Sequence, residues 1–105
     1  MMAAIDPPPD ISVVTPSYNM RAYLARCVRS VADQKDVRVE HVVIDGASSD
    51  GSVEWLQGEA HVRTISEADR GMYDALNKGL CLATGSVVAH LNCDEQYLPG
   101  MLLFV

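Results

Sequence analysis

Four short runs rich in valine and isoleucine, at 11–15, 39–44, 62–66 and 86–91, recur along the chain with helical patterns between them. The runs are nearly continuous rather than alternating, which is how strands read when both faces are covered. Between the first two, Leu24, Cys27, Val28 and Val31 follow the spacing of an amphipathic helix, and Arg21, Arg26 and Arg29 fall mostly on its wet side. Asn19 is placed to cap that helix, and a shorter helix capped by Asp50 is expected over 52–57. The third helix is the clearest, with Met72, Ala75, Leu76, Gly79, Leu80 and Ala83 on one stripe. Gly85 falls just past its end, where a left-handed cap is expected, and Pro99 starts a further helical turn. This order implies an α/β fold of alternating β-α units. The sheet is mostly parallel, with right-handed crossovers and helices on both faces.

A chain of 105 residues fits one small domain. Its hydrophobic fraction of 49% excludes a disordered or collagen-like chain. The net charge is −6 and the basic residues are scattered, so no nucleic-acid partner is expected. No apolar run approaches the roughly 18 residues of a membrane span. Segment 1–10 has neither the basic start nor the apolar core of a signal peptide. Its Pro7-Pro8-Pro9 run reads as a stiff, exposed leader. The expected organisation is a disordered leader over 1–10 and one domain over 11–105. Cys27, Cys81 and Cys93 form no C-x-x-C pair, so neither a zinc site nor a disulfide framework is expected. Cys27 and Cys81 read as buried thiols of a reduced, cytoplasmic protein. His41, His61 and His90 share no ligand spacing and read as structural or surface residues. Trp55 is expected to pack the second helix onto the sheet.

Ligands of parallel sheets bind beyond the carboxyl ends of the strands, so the chemistry is sought right after each run. The first such segment, Thr15-Pro16-Ser17-Tyr18-Asn19, lacks the glycines of a dinucleotide fingerprint or a P-loop. Tyr18 there either offers a flat ring to a base or packs on its own helix. Asp45 ends the second run, where a carboxylate can accept a ring N–H in a charge-assisted bond. Arg70 precedes the third helix and either meets an anion or pairs with Asp69 or Glu67. Asn92-Cys93-Asp94-Glu95 follows the fourth run. A carboxylate cluster at such a mouth calls for a cation, and hard divalent ions often share oxygen ligands with substrate phosphates. Alternatively, Asp94 caps the turn before Pro99.

Taken together, these segments resemble the start of a family 2 glycosyltransferase of the GT-A fold. Four blocks over 11–101 carry the resemblance, in the family's order. Ile11-Ser12-Val13-Val14-Thr15-Pro16-Ser17-Tyr18-Asn19 resembles the opening strand and turn. Val42-Val43-Ile44-Asp45-Gly46-Ala47-Ser48-Ser49-Asp50-Gly51-Ser52 resembles the D-D/G-G-S-T-D-G-T block, with Ala47 replacing a usual glycine. Ser66-Glu67-Ala68-Asp69-Arg70-Gly71-Met72-Tyr73-Asp74-Ala75-Leu76-Asn77-Lys78-Gly79 resembles a block of the colanic-acid-type branch. Ala83-Thr84-Gly85, then Leu91-Asn92-Cys93-Asp94-Glu95, resembles A-x-G and the DXD region.

The resemblance implies a role for each matching position. Thr15, Pro16 and Tyr18 would line the nucleobase pocket, and Asp45 would bind the base, most often uracil. Arg70 would lie near the base or diphosphate, and Asn92 would face the ribose. Asp94, supported by Glu95, would hold Mg2+ or Mn2+ through the diphosphate of a nucleotide sugar. The donor would be UDP-linked and the acceptor a glycan or lipid-linked sugar in cell-surface polysaccharide synthesis. The complete enzyme would be cytoplasmic, or peripheral to the inner face of the membrane. Nothing before Val105 matches the family's catalytic base, so the chain is expected to carry the donor half-site and to be inactive alone. A second reading is a non-catalytic nucleotide- or metal-binding module working with a partner chain. The apolar end 101–105 would then drive association, including homo-oligomers. A receiver-like domain is disfavoured, because Lys78 falls inside a helix rather than at a strand end.

Overall fold

The computed structural model describes residues 9–104. The elements are β1 (Ile11–Ser17), α1 (Arg21–Ala32), β2 (Val39–Asp45), α2 (Ser52–Gln57), β3 (Val62–Ser66), α3 (Met72–Leu82) and β4 (Val87–His90). A 3-10 turn, Met101–Phe104, follows Pro99. All strand pairs are parallel and the order is β3-β2-β1-β4. Among the described residues no helix is long and apolar enough to cross a membrane.

Strand alternation divides the core between two faces. Ile11 and Val13 meet Cys27 and Val31 of α1, while Val43 meets Leu24 and Val28 of α1 and Leu56 of α2. Val14, Val42 and Ile44 point the other way, onto Ala75 of α3. Steps β1→β2→β3 run one way along the sheet and the step to β4 runs back, so right-handed crossovers put α1 and α2 opposite α3. The Val/Ile runs are covered on both faces in the central strands β1 and β2. In the edge strand β4, Val87 and Val88 are both exposed.

Several local expectations are corrected. β1 extends through Pro16 to Ser17, with Ser17 in register with Asp45. Asn19 is not the cap of α1: it takes a left-handed φ of 50°, and Met20 holds the cap position without a side-chain bond. The donor at the start of α1, Arg21 N–H, is instead taken by Asp50 Oδ2 at 2.9 Å, across from the next loop. Asp50 Oδ1 also accepts from Ser52 N–H, so this residue serves two helix starts. Gly85 is no left-handed cap. α3 ends with Ala83 in extended conformation, and a Cβ at Gly85 would lie 2.7 Å from Ser12 N. Cys81 is exposed because it falls two residues past buried Gly79, on the side of α3 turned away from the sheet, and Met72 and Leu80, at the margins of the stripe, are exposed as well.

Residues 1–8 of the expected leader lie outside the described residues. Asp10, also assigned to the leader, is instead tied in: its N–H donates to Arg38 O at 2.8 Å, and its carbonyl accepts from Val87 N–H. At the other end Leu102 is buried against Ile11, Cys27 and Val31. Trp55 packs beside the cluster of Leu24 and Leu56, with the Arg21 guanidinium 5.0 Å from its ring centre.

Candidate functional site

The strand order reverses between β1 and β4, and crevices beyond such reversals are where open parallel sheets bind ligands. A cleft of about 460 Å³ lies there. Pro16, Ser17 and Tyr18 wall it from the end of β1, Asp69 and Met72 from the start of α3, and Asn92, Cys93 and Asp94 from the segment after β4. Tyr18 is 63% exposed, so its ring stands free rather than packed on its own helix. A second cavity, of about 290 Å³, lies at the other end of the sheet among valines of α1, β2 and β3.

Three loops are stitched together beside the cleft. Asn19 N–H donates to Ser48 Oγ and Asn19 Oδ1 accepts from Ser49 N–H, both at 2.8 Å. Ser48 gives its Oγ–H to Asp45 Oδ1 at 2.6 Å and its N–H to Asp45 Oδ2 at 2.8 Å. Ser66, at the end of β3, donates to Asp45 Oδ2 at 3.0 Å. Asp45 is 0% exposed, so this charge is held by hydrogen bonds rather than by water. Such a network needs a sharp turn, and Ala47 adopts a φ of 63° to make it. An L-residue there costs about 1 kcal/mol that the usual glycine avoids.

The expected site residues separate into two groups. Pro16, Tyr18, Asn92 and Asp94 line the cleft together. Thr15 and Asp45 are fully buried and do not: Thr15 hydrogen-bonds His41 Nε2 at 2.8 Å. Arg70 is exposed beside Asp69, and its guanidinium forms no ion pair among the described residues. Lys78 instead pairs with Glu67 at 3.1 Å and Asp74 at 3.6 Å. Glu95 turns back, its Oε1 accepting Asn92 N–H at 2.9 Å. His90 Nε2 meets Asn92 Oδ1 at 2.7 Å, which joins a residue read as peripheral to the site wall. Asp69 and Cys93 were not singled out from the sequence, although both belong to strand-end segments. Burial pushes the Cys93 thiol up to about 12, so it lines the cleft as a neutral group.

Asp94 has no hydrogen-bond or ion-pair partner among the described residues. No group of three or more His, Cys, Asp or Glu side chains that could hold a metal occurs among them. Among the described residues the cleft is walled by two carboxylates, Asp69 and Asp94, and by no basic side chain. A diphosphate could enter such a wall only with a counter-cation. One free carboxylate suits an ion that takes its other ligands from phosphate and water.

Residues 12–103 match the family model described as Glycosyl transferase family 2. The chain belongs to glycosyl transferase family 2. TuaG of Bacillus subtilis, named for teichuronic acid biosynthesis, is 38% identical over 100 residues, covering 90% of this chain and 39% of that protein. The family 2 chain spans less than half the length of the curated relatives it matches. The fold agrees with solved GT-A glycosyltransferases. S. aureus TarS in complex with UDP-GlcNAc superposes with a TM-score of 0.77 at 25% identity, over 90% of this chain and 29% of that one. Mannosyltransferase PcManGT from Pyrobaculum calidifontis, in complex with GDP-Man and Mn2+, gives 0.78 at 28% identity, over 91% and 30%.

Proposed function

We propose that this chain is the donor-binding part of a sugar transferase that takes a UDP-linked sugar and serves cell-surface polysaccharide synthesis. The observation that carries the reading is the free Asp94 carboxylate at the mouth of a cleft on the β1/β4 reversal. The likeness to TuaG supports the polysaccharide role, and the likeness to the UDP-GlcNAc complex of TarS supports the nucleotide. The block over 66–79 supports a place in the colanic-acid-type branch, and the work of such enzymes is cytoplasmic or at the inner membrane face.

The residues divide the labour as follows. Tyr18 and Pro16 receive the base. Asn92, braced by His90, faces the ribose. Arg70 offers its exposed guanidinium to the base or diphosphate. Asp94 would hold Mg2+ or Mn2+ on the diphosphate; the ion, when bound, stabilises the charge of the departing nucleoside diphosphate. Thr15 and Asp45 brace the wall from behind. Sugar transfer also needs an acceptor hydroxyl and a base within hydrogen-bond reach of its proton. Those functions are assigned to the further length that the relatives possess, so this chain alone binds donor and transfers little sugar.

Titration of UDP with and without Mn2+ tests this. Native chain should bind UDP only with the ion, and Asp94→Ala should weaken that binding by about tenfold or more. Its melting temperature should not change, because Asp94 is exposed and unbonded. Equal Mn2+-dependent affinity in the two proteins would overturn the role of Asp94. Rapid turnover by the chain alone would overturn the half-site reading.

A further inference from the structure

The cavity at the other end of the sheet is walled mainly by aliphatic side chains. Val28 and Val31 come from α1, Val39 from β2 and Val62 from β3, with Val37 from the loop before β2. Among the described residues no Asp, Glu, Lys or Arg lines it. Ala32 and His61 also stand in the wall and are exposed, so the cavity reaches the surface between the end of α1 and the start of β3. Gln34 is spent on its own surroundings. Its Nε2 donates to Ser30 O at 3.1 Å and Leu98 O at 2.9 Å, and its Oε1 accepts Leu102 N–H at 3.0 Å. His41 differs. It is 4% exposed and its Nε2 meets Thr15 Oγ1 at 2.8 Å, but its Nδ1 has no partner among the described residues. A polar atom withdrawn from water without a partner is costly, so this nitrogen stands ready for one.

We propose that this cavity is a second binding site, for a small neutral molecule of the phenol class, with an apolar body among the valines and one hydroxyl bonded to His41 Nδ1. The size fits: an apolar cavity of about 150 Å³ holds benzene, and this one is about 290 Å³. The wall offers no counter-charge, so a carboxylate, a phosphate or an ammonium group would be left unpaired there. The hydroxyl follows from the two tautomers of the ring. Nε2 either donates to Thr15 or accepts from it, so Nδ1 is correspondingly a lone pair or an N–H. A hydroxyl both donates and accepts, and answers either form. Burial holds the ring neutral, pushing it down from 6.5 to about 4. The cavity shares no residue with the cleft, so the site stands or falls independently of the nucleotide reading.

The test adds phenol or benzene to the full chain and follows both the affinity and the 15N resonance of His41 Nδ1. Phenol should bind and move that resonance, while benzene, which fits but cannot bond, should move it far less. His41→Phe keeps a ring and removes the nitrogen, and should lower the ratio of phenol to benzene affinity by about tenfold. Because that change also strips Thr15 of its partner, Ala32→Phe serves as the second variant. Placed at the exposed rim, it should close the cavity and weaken both ligands by about tenfold with the melting temperature kept. UDP with Mn2+ should not displace phenol. A resonance that phenol leaves in place would mean that the cavity holds water only, and would overturn the proposal. Phenol bound to Ala32→Phe as tightly as to the native chain, or displaced by UDP, would place it elsewhere and overturn the proposal too. An affinity ratio unchanged in His41→Phe would remove the bond to Nδ1 on which the proposal stands.

Discussion

At the amino-terminal end of the sheet the Glu40 carboxylate accepts from Ser12 Oγ at 2.8 Å, Thr84 N at 3.0 Å and Thr84 Oγ1 at 3.1 Å, with Arg63 3.8 Å away. At the carboxyl end, among the described residues, Asp94 has no such partner and Asp69 has one. About 20 Å of strand separates the two ends. Around Glu40 the amino-terminal end is closed: the carboxylate is answered by Ser12, Thr84 and Arg63, and Gly85 lets backbones touch. The other is open at the cleft, where the Asp69 and Asp94 carboxylates are left for something to meet. Seven residues of β1 run between the two situations. The contrast teaches that an acidic side chain on this fold is informative only once its partners are counted.

The comparison can be broken most violently at Gly85. A Cβ there would meet Ser12 N at 2.7 Å and Ile11 C at 2.8 Å, and both are backbone atoms at the start of the central strand. Gly85→Ala should lose about 4 kcal/mol, the high end of overpacking, because no side chain can move aside. A urea midpoint equal to that of the native chain would show that the closed end yields.

His41, one residue beyond Glu40 on β2, gives the next largest effect. It is buried, its Nε2 bonded to Thr15 and its Nδ1 without a partner among the described residues. Burial pushes it down from 6.5 to about 4. The unfolded chain therefore takes up this proton below its ordinary value while the folded chain does not. Stability should fall as pH drops through that interval, by about 3 kcal/mol in all. His41→Gln should flatten the dependence of the urea midpoint on pH between neutrality and about pH 5. A native midpoint that stays level over that range would contradict it.

The strands and their parallel order were legible because β1 and β2 are buried on both faces, which leaves a plain mark of continuous Val and Ile. All four strand-end segments were legible as a mouth for the same topological reason. The helix caps were not. The partner of Arg21 N–H is Asp50, which reaches it only after β2 has been laid beside β1. Asp45 and Asp69 were indistinguishable as residues. Asp45 is sealed by Ser48, three residues on, together with Ser66, which arrives from another strand 21 positions away. Gly85 carried the ordinary mark of a helix end, while its true reason, the Ser12 backbone, lies 73 positions away.

Glu40→Gln gives the smallest effect and the cleanest control. Burial alone would push the Glu40 carboxyl up. The bonds from Thr84 and Ser12 and the charge of Arg63 outweigh it, and the group is held below its ordinary value of 4.5. Its contribution is therefore complete above that value and is lost as pH falls through the lowered one. At neutral pH an amide keeps one acceptor and loses the charge, so the substitution should cost about 2 kcal/mol. In acid, where the native side chain is itself uncharged, the two proteins should converge. The same variant should bind UDP with Mn2+ as the native chain does, because the closed end shares no residue with the cleft. If Glu40→Gln weakened the nucleotide as much as Asp94→Ala, the two ends would be coupled through β1. The division between a finished carboxylate and an expectant one would then fail.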